Sequence, residues 1–277
     1  MDAKLKIYQV DAFTDRVFNG NPAAIVPLET WLPDSVMMQI AMENNLSETA
    51  FFVPHSSEAY DFEIRWFTPT TEVELCGHAT MGSCLVIWDY LGFEPSVIRL
   101  KTREAGDLTV SRDLDSGKIQ LDLPYRPAKE VELPEGFVER LNVKPVYFGR
   151  ALKNIAVLED AAAVNSFIPD YDYIASLTEG DGLIITAPAN LGDTTESKLD
   201  CVSRYFAPAS GIDEDPVTGS AHCTIVPYWA TRLGKTRILA RQVSARGGNL
   251  DCEVSGDRVV ISGDARLYLK GEIFIQY

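Results

Sequence analysis

The chain has 277 residues, 46% of them hydrophobic and 23% charged, with a formal net charge of −15. No apolar run approaches the roughly 18 residues of a membrane-crossing helix, and so negative a field disfavours nucleic acid and anionic lipid as partners. Five cysteines, Cys76, Cys84, Cys201, Cys223 and Cys252, form no C-x-x-C pair; the odd count argues for a reducing compartment and against a disulfide framework.

The N-terminus, Met1-Asp2-Ala3-Lys4-Leu5-Lys6, carries neither an apolar stretch nor a cleavage signal, so a cytoplasmic location is expected. Lys4–Asp11 and Ala23–Leu28 read as strands around the turn Phe18-Asn19-Gly20-Asn21-Pro22. Residues 34–44 place Val36, Met37, Ile40 and Ala41 on one face of a helix. Strands are expected over 50–53 and 59–67, then a mostly apolar helix over 77–91. Three more strands follow near 97–101, 107–111 and 118–123. Pro124, Pro127 and Pro134 mark a domain boundary, dividing the chain into residues 1–127 and 128–265. The second half reads as strands over 154–158, 183–186 and 198–206, a helix over 171–177, and a buried helix over 219–233. Strands over 242–245, 250–254, 258–262 and 265–276 close the chain. Short connections and many strands give an α+β class, not a doubly wound sheet.

The two halves repeat each other. Arg65-Trp66-Phe67-Thr68-Pro69 returns as Arg204-Tyr205-Phe206-Ala207-Pro208, and the helix opening at Gly77-His78-Ala79 returns at Gly219-Ser220-Ala221. Two related domains are implied, with a site expected in the crevice between them. The first turn of a helix offers unpaired N–H groups and a positive dipole end, so two such ends make an anion clamp suited to a carboxylate; Gly77 and Gly219 permit close backbone approach. The alternative is that both glycines only start tightly packed helices. Glu48 precedes an apolar strand, and its counterpart in the second half falls at Gly182. A carboxyl against apolar surface holds its proton more tightly, as suits a group that takes and gives protons near neutrality; the alternative is a solvated turn residue. His78 can donate to an anion or cap its helix. Asp215, in Asp213-Glu214-Asp215-Pro216, can be an acid-base group, orient a donor, or cap a helix with Pro216 at its first position. Ser220 offers a hydroxyl at the clamp. Cys76 sits at a helix start, where thiol pKa values fall, but no cysteine occupies the equivalent point of the second half. The carboxylates have no histidine spacing that supports a metal site, and no G-x-G-x-x-G follows a strand, so no metal or cofactor is expected.

Four segments carry a resemblance: 18–24 (Phe-Asn-Gly-Asn-Pro-Ala-Ala), 46–51 (Leu-Ser-Glu-Thr-Ala-Phe), 67–69 with 74–80 (Glu-Leu-Cys-Gly-His-Ala-Thr), and 211–222, which contains Asp213-Glu214-Asp215-Pro216 and Gly219-Ser220-Ala221-His222. Together they resemble the PhzF-like (phenazine biosynthesis) isomerase family of the diaminopimelate epimerase-like superfamily. The resemblance implies two pseudo-symmetric domains, each a curved mixed sheet around a central helix, with residues 266–277 returning to the first. It implies a cofactor-independent isomerase in which Glu48 moves a proton along one face of a small carboxylate-bearing metabolite. It also implies that His78 and Asp215 complete the catalytic set, and that Asn21, Gly77, Gly219 and Ser220 bind substrate. Cys76 departs from the phenazine enzyme's pattern and matches the thiol position of cysteine-dependent epimerases. Two alternatives therefore stand beside the isomerase: an amino-acid epimerase using Cys76, and a non-catalytic binding protein on the same scaffold. A homodimer is compatible with this reading, but the sequence does not decide it.

Overall fold

The computed structural model describes residues 2–189 and 198–276. The chain divides into two compact units, Met1–Asp122 with Ser262–Tyr277, and Leu123–Ile261.

In the first unit the strands are β1 (Asp2–Ala12), β2 (Asn21–Pro27), β3 (Glu48–Pro54), β4 (Phe62–Phe67), β5 (Glu72–Val73), β6 (Val97–Lys101), β7 (Leu108–Arg112) and β8 (Ile119–Pro124). The C-terminal strand, Ala265–Gln276, runs antiparallel to β1 from Ala12↔Ala265 to Asp2↔Gln276. The β2–β3 pair is parallel, with Ala23 opposite Glu48, while β1–β2 and β3–β4 are antiparallel, so the sheet is mixed. Helix α1 (Asp34–Asn44) crosses one face, where Val36, Met37, Ile40 and Ala41 meet Val26, Phe51, Val53 and Phe67. Helix α2 (Gly77–Leu91) is buried from Gly77 to Trp88 and packs against β1, β2, β3 and the C-terminal strand. An apolar helix with no polar stripe can be satisfied only by such enclosure. Its approach is close at Gly82, where a Cβ would come within 3.3 Å of both Val10 and Ile25.

The second unit repeats the plan. Its elements are β9 (Lys129–Glu130), α3 (Phe137–Leu141), β10 (Tyr147–Arg150), β11 (Asn154–Val157), α4 (Ala161–Ser166), α5 (Tyr171–Ala175), β12 (Leu183–Pro188), β13 (Cys201–Ala207), β14 (Ile212–Asp215), α6 (Gly219–Leu233), β15 (Arg237–Gln242), β16 (Gly248–Ser255) and β17 (Arg258–Gly263). Again the sheet is mixed: β11 pairs parallel with β12, flanked by antiparallel neighbours, and β13 pairs parallel with β15, as β4 does with β6 in the first unit. Helix α6 lies against β15 and β16, and α4 against β12 and β13.

Several elements differ from expectation. Strand β4 begins at Phe62 because 55–61 form a tight turn, closed by the His55 N–H donating to Asp61 O and the Tyr60 N–H donating to Ser57 O. The expected strand over 242–245 is instead Arg237–Gln242, since Ser244 turns its hydroxyl to the Pro216 carbonyl. Glu48 lies inside β3, not in a turn before it. Asp215 ends β14 and does not cap α6, whose N-cap is Thr218, so Pro216 is not a first helical residue. Tyr277 of the expected last strand lies outside the described residues.

Candidate active site

Three chain segments converge at the start of α2. The first is the turn leading into β2. Asp11 accepts the Phe18 N–H at 2.8 Å, and Gly20 takes φ +66° with its missing Cβ only 2.1 Å from the Ala12 carbonyl. Only glycine fits there, and the turn it permits delivers Asn21 to the first position of β2. The second segment is the start of β3, which carries Glu48. The third is the N-terminus of α2, with Cys76 as its extended N-cap and His78 in its first turn.

The side chains meet in a buried cluster. His78 Nε2 lies 3.1 Å from Glu48 Oε2, and Nδ1 lies 3.1 Å from the Asn21 amide. The Ser47 hydroxyl donates to Asn21 Oδ1 at 3.4 Å. The Cys76 thiol stands 3.5 Å from Nδ1 and 3.9 Å from Nε2 of the same imidazole. Glu48 is 9% exposed, Cys76 5% and His78 3%. The Glu48–His78 approach is close in distance but not aligned as a hydrogen bond. Among the described residues, Oε2 therefore has no hydrogen-bond partner. A buried acceptor with a free lone pair is costly to maintain and points to a reactive role.

Electrostatics separates the members. Burial is the largest influence on His78 and opposes its charge, but Cys76 and Glu48 outweigh it and raise its proton affinity well above the usual value. Burial pushes the Cys76 thiol up to about 11, with the Glu48 charge adding to the rise. Glu48 and Cys76 thus favour the charged form of His78, while burial and Glu48 favour the protonated form of the Cys76 thiol. Protonating Nδ1 requires the Asn21 amide to present its oxygen, a half-turn that exchanges its oxygen and nitrogen and turns Ser47 from donor to acceptor.

The second unit holds the equivalent positions in another arrangement. Asp215, 7% exposed, accepts from the Thr218 hydroxyl, while Gln242 Nε2 donates to the Asp215 carbonyl at 2.6 Å. Thr218 stands where Cys76 stands in the first unit. Its hydroxyl faces Asp215 and does not cap the helix. Gly219 is buried and Ser220 half-buried, both in the first turn of α6. At the position matching Glu48 stands Gly182 at φ +69°, since Leu183 pairs with Phe206 as Thr49 pairs with Phe67. Beside it is a cluster with no clear sequence signal. The ammonium of Lys153 donates to Asp181 and to the Tyr205 hydroxyl, both at 2.7 Å, and sits 4.4 Å from the Tyr205 ring centre. The Asn154 amide donates to the carbonyls of Glu179 and Gly182 and so holds a turn, whereas that of Asn21 faces His78.

The first unit brings a buried carboxylate and a histidine together at a helix start in a mixed-sheet α+β fold, and proteins similar to this chain are isomerases. The chain belongs to the phenazine biosynthesis-like protein family, which it matches over residues 10–272. It is 43% identical to an uncharacterised isomerase of Pseudomonas aeruginosa, over 98% of this chain and all of that protein. It is 37% identical to the human phenazine biosynthesis-like domain-containing protein, over 98% of this chain and 99% of that one. The crystal structure of a PhzF-family phenazine biosynthesis protein from Enterococcus faecalis superposes with a TM-score of 0.90 at 40% identity, covering 99% of this chain and 100% of that one. A hydroxyproline epimerase of Agrobacterium vitis shares the fold alone, at 9% identity and a TM-score of 0.66 over 98% of this chain and 93% of that one. No helix among the described residues is long and apolar enough to cross a membrane.

Proposed function

We propose that this chain is a cofactor-independent isomerase that shifts a proton, in allylic fashion, along one face of a small carboxylate-bearing metabolite, with Glu48 as the general acid and base. The observation that carries this reading is Glu48 Oε2, buried 3.1 Å from His78 Nε2 and without a hydrogen-bond partner among the described residues. Such an oxygen answers the His78 charge without an aligned hydrogen bond, which keeps a lone pair in reach of a substrate proton. His78 holds positive charge beside it and offsets the negative charge that grows on the substrate as the C–H bond breaks. Asn21 fixes the imidazole ring. The first-turn N–H groups at Gly77 suit a substrate carboxylate, since the Cys76 side chain makes no cap hydrogen bond there. Asp215, Gly219 and Ser220 of the second unit take the catalytic and binding roles that the family pattern gives them.

The epimerase reading needs a thiolate and a second base. Cys76 sits at about 11, and its counterpart is Thr218, so both requirements count against it. Iodoacetamide at neutral pH is expected to leave turnover intact.

The test is proton exchange in heavy water followed by NMR, using a panel of small carboxylates that includes dihydro-hydroxyanthranilate and diaminopimelate. Deuterium should enter one compound with the wild type, at a rate that falls at least 10²- to 10⁴-fold, roughly, in Glu48→Gln. Wild-type exchange in Glu48→Gln would sink the mechanism, and exchange abolished by alkylation would favour the thiol.

A further inference from the structure

Glu48, Cys76 and His78 offer three chemically different donors to one point. Their ligand atoms lie within 4.8 Å of one another. Nε2 to Oε2 is 3.1 Å and Sγ to Nε2 is 3.9 Å. Around a tetrahedral ion with bonds of about 2.0–2.3 Å, neighbouring donors stand about 3.3–3.6 Å apart. The two measured edges straddle that spacing, so small rotations of side chains already in contact close the set.

We propose that these three side chains form a soft-metal site, selective for Zn²⁺ or Cd²⁺ over Mg²⁺ or Ca²⁺, and that the bound ion shuts the enzyme. Two independent features point to a cation. The first is the donor chemistry: one thiolate, one imidazole and a single carboxylate suit a borderline or soft ion, whereas Mg²⁺ and Ca²⁺ demand several oxygens. The second is the buried Oε2, which has no hydrogen-bond partner among the described residues and offers a lone pair that a cation satisfies. On binding, the Cys76 thiol releases its proton and the His78 imidazolium its Nε2 proton, both to solvent, and lone pairs of Sγ, Nε2 and Oε2 form three bonds to the ion. With the metal on Nε2, the proton of His78 sits on Nδ1 and the Asn21 amide oxygen accepts it, the outer hydrogen bond that histidine ligands customarily make. Ser47 then accepts from the Asn21 amide nitrogen. The fourth position is left to water or a small anion. An ion held this way occupies the oxygen and nitrogen that the proposed reaction uses, so zinc inhibits by direct competition with the proton. Cys76, which the isomerase reading leaves without a task, thereby gains one.

The proposal shares side chains with the isomerase reading, but metal binding is measured directly, so either can fail alone. The experiment is a titration of the metal-free protein with Co²⁺, followed by its visible and near-ultraviolet absorption. One equivalent should give an intense tetrahedral spectrum with a thiolate-to-cobalt band, displaced by Zn²⁺. Cys76→Ala should lose that band while keeping the wild-type thermal transition, and Glu48→Gln, nearly isosteric, should bind at least about tenfold more weakly. In the wild type, an equivalent of Zn²⁺ should stop proton exchange, and a chelator should restore it. No thiolate band in the wild type overturns the proposal, as does a band that persists in Cys76→Ala. If Cys76→Ala does not fold, the comparison rests on Glu48→Gln, where unchanged affinity overturns it.

Discussion

His78 and His222 sit in the first turns of equivalent helices, both buried, and their surroundings push them in opposite directions. His222 donates from Nδ1 to the Thr218 carbonyl at 2.8 Å, as the Thr80 hydroxyl donates to the Cys76 carbonyl at 2.6 Å in α2. Among the described residues no charged group answers it, and burial lowers its pKa from 6.5 to about 4. The folded state then binds fewer protons than the unfolded chain between these values. His222 thus stabilises fully above 6.5, and that contribution, about 3 kcal/mol, drains away as pH falls toward 4. His78 is raised, so its contribution is complete below 6.5 and is lost as pH climbs through its folded value. Denaturant unfolding across pH 4–9 should show both signatures. His222→Thr should flatten the acid limb, and His78→Gln the alkaline one. A parallel offset of the whole curve in either variant would mean that only packing was lost. The same contrast explains what reading residues could reach. Glu48, His78 and Asn21 stand out in short motifs, but the 3.1 Å contacts joining them depend on a turn, a strand and a helix start from separate segments. The Lys153 cluster escaped notice because Leu152-Lys153-Asn154 looks like any surface turn until Tyr205 and Asp181 are brought to it.

At the scale of elements, the repeated Arg-aromatic-Phe motif locks the acidic loop that precedes each central helix. Arg65, 2% exposed, donates from Nε and Nη2 to the two oxygens of Glu72, both at 2.7 Å, and from Nη1 to Asp34 at 2.8 Å. Arg204 repeats the fork on Glu214, at 2.7 and 2.9 Å, and adds the Phe167 carbonyl at 2.7 Å. The guanidinium is buried while Glu72 and Asp34 keep contact with water, so Arg65→Ala should cost about 1.5–3 kcal/mol, from the lost charge-assisted hydrogen bonds. Arg99→Ala, at the exposed pair with Asp61, should cost under about 1 kcal/mol. Equal losses in urea melts would refute the clamp. The central helices were legible to the residue, over 77–91 and 219–233, because a glycine starts each and Gly92 and Gly234 end them in the left-handed conformation. Strand β10 and helices α3 and α4 were not. Each spans only four to six residues, too few for a period to emerge, and tertiary packing on Phe148, Phe137 and Val164 decides them.

For the whole molecule, the order of the chain matters as much as its pairing. The second unit interrupts the first in sequence, and β1 is completed by a strand some 250 residues further on. Asp2 and Gln276 are direct register partners, so a circular permutant joining them by a short turn and opening the chain in the exposed loop at Leu114–Asp115 should keep the fold, within about 2 kcal/mol. Loss of a cooperative thermal transition would argue that the native order is required. That order also sets a timetable during synthesis. The strand that pairs with β1 is made only after the whole of the second unit. At about 5–20 residues per second, the Tyr8 and Val10 side chains wait roughly 13–50 seconds for the mate that shields them. Meanwhile the second unit has all its residues in hand and can close first. A nascent chain stalled before Ala265 therefore presents a finished C-terminal unit tethered to an unfinished N-terminal one, and its bare strand edge is the place where a chaperone would be needed.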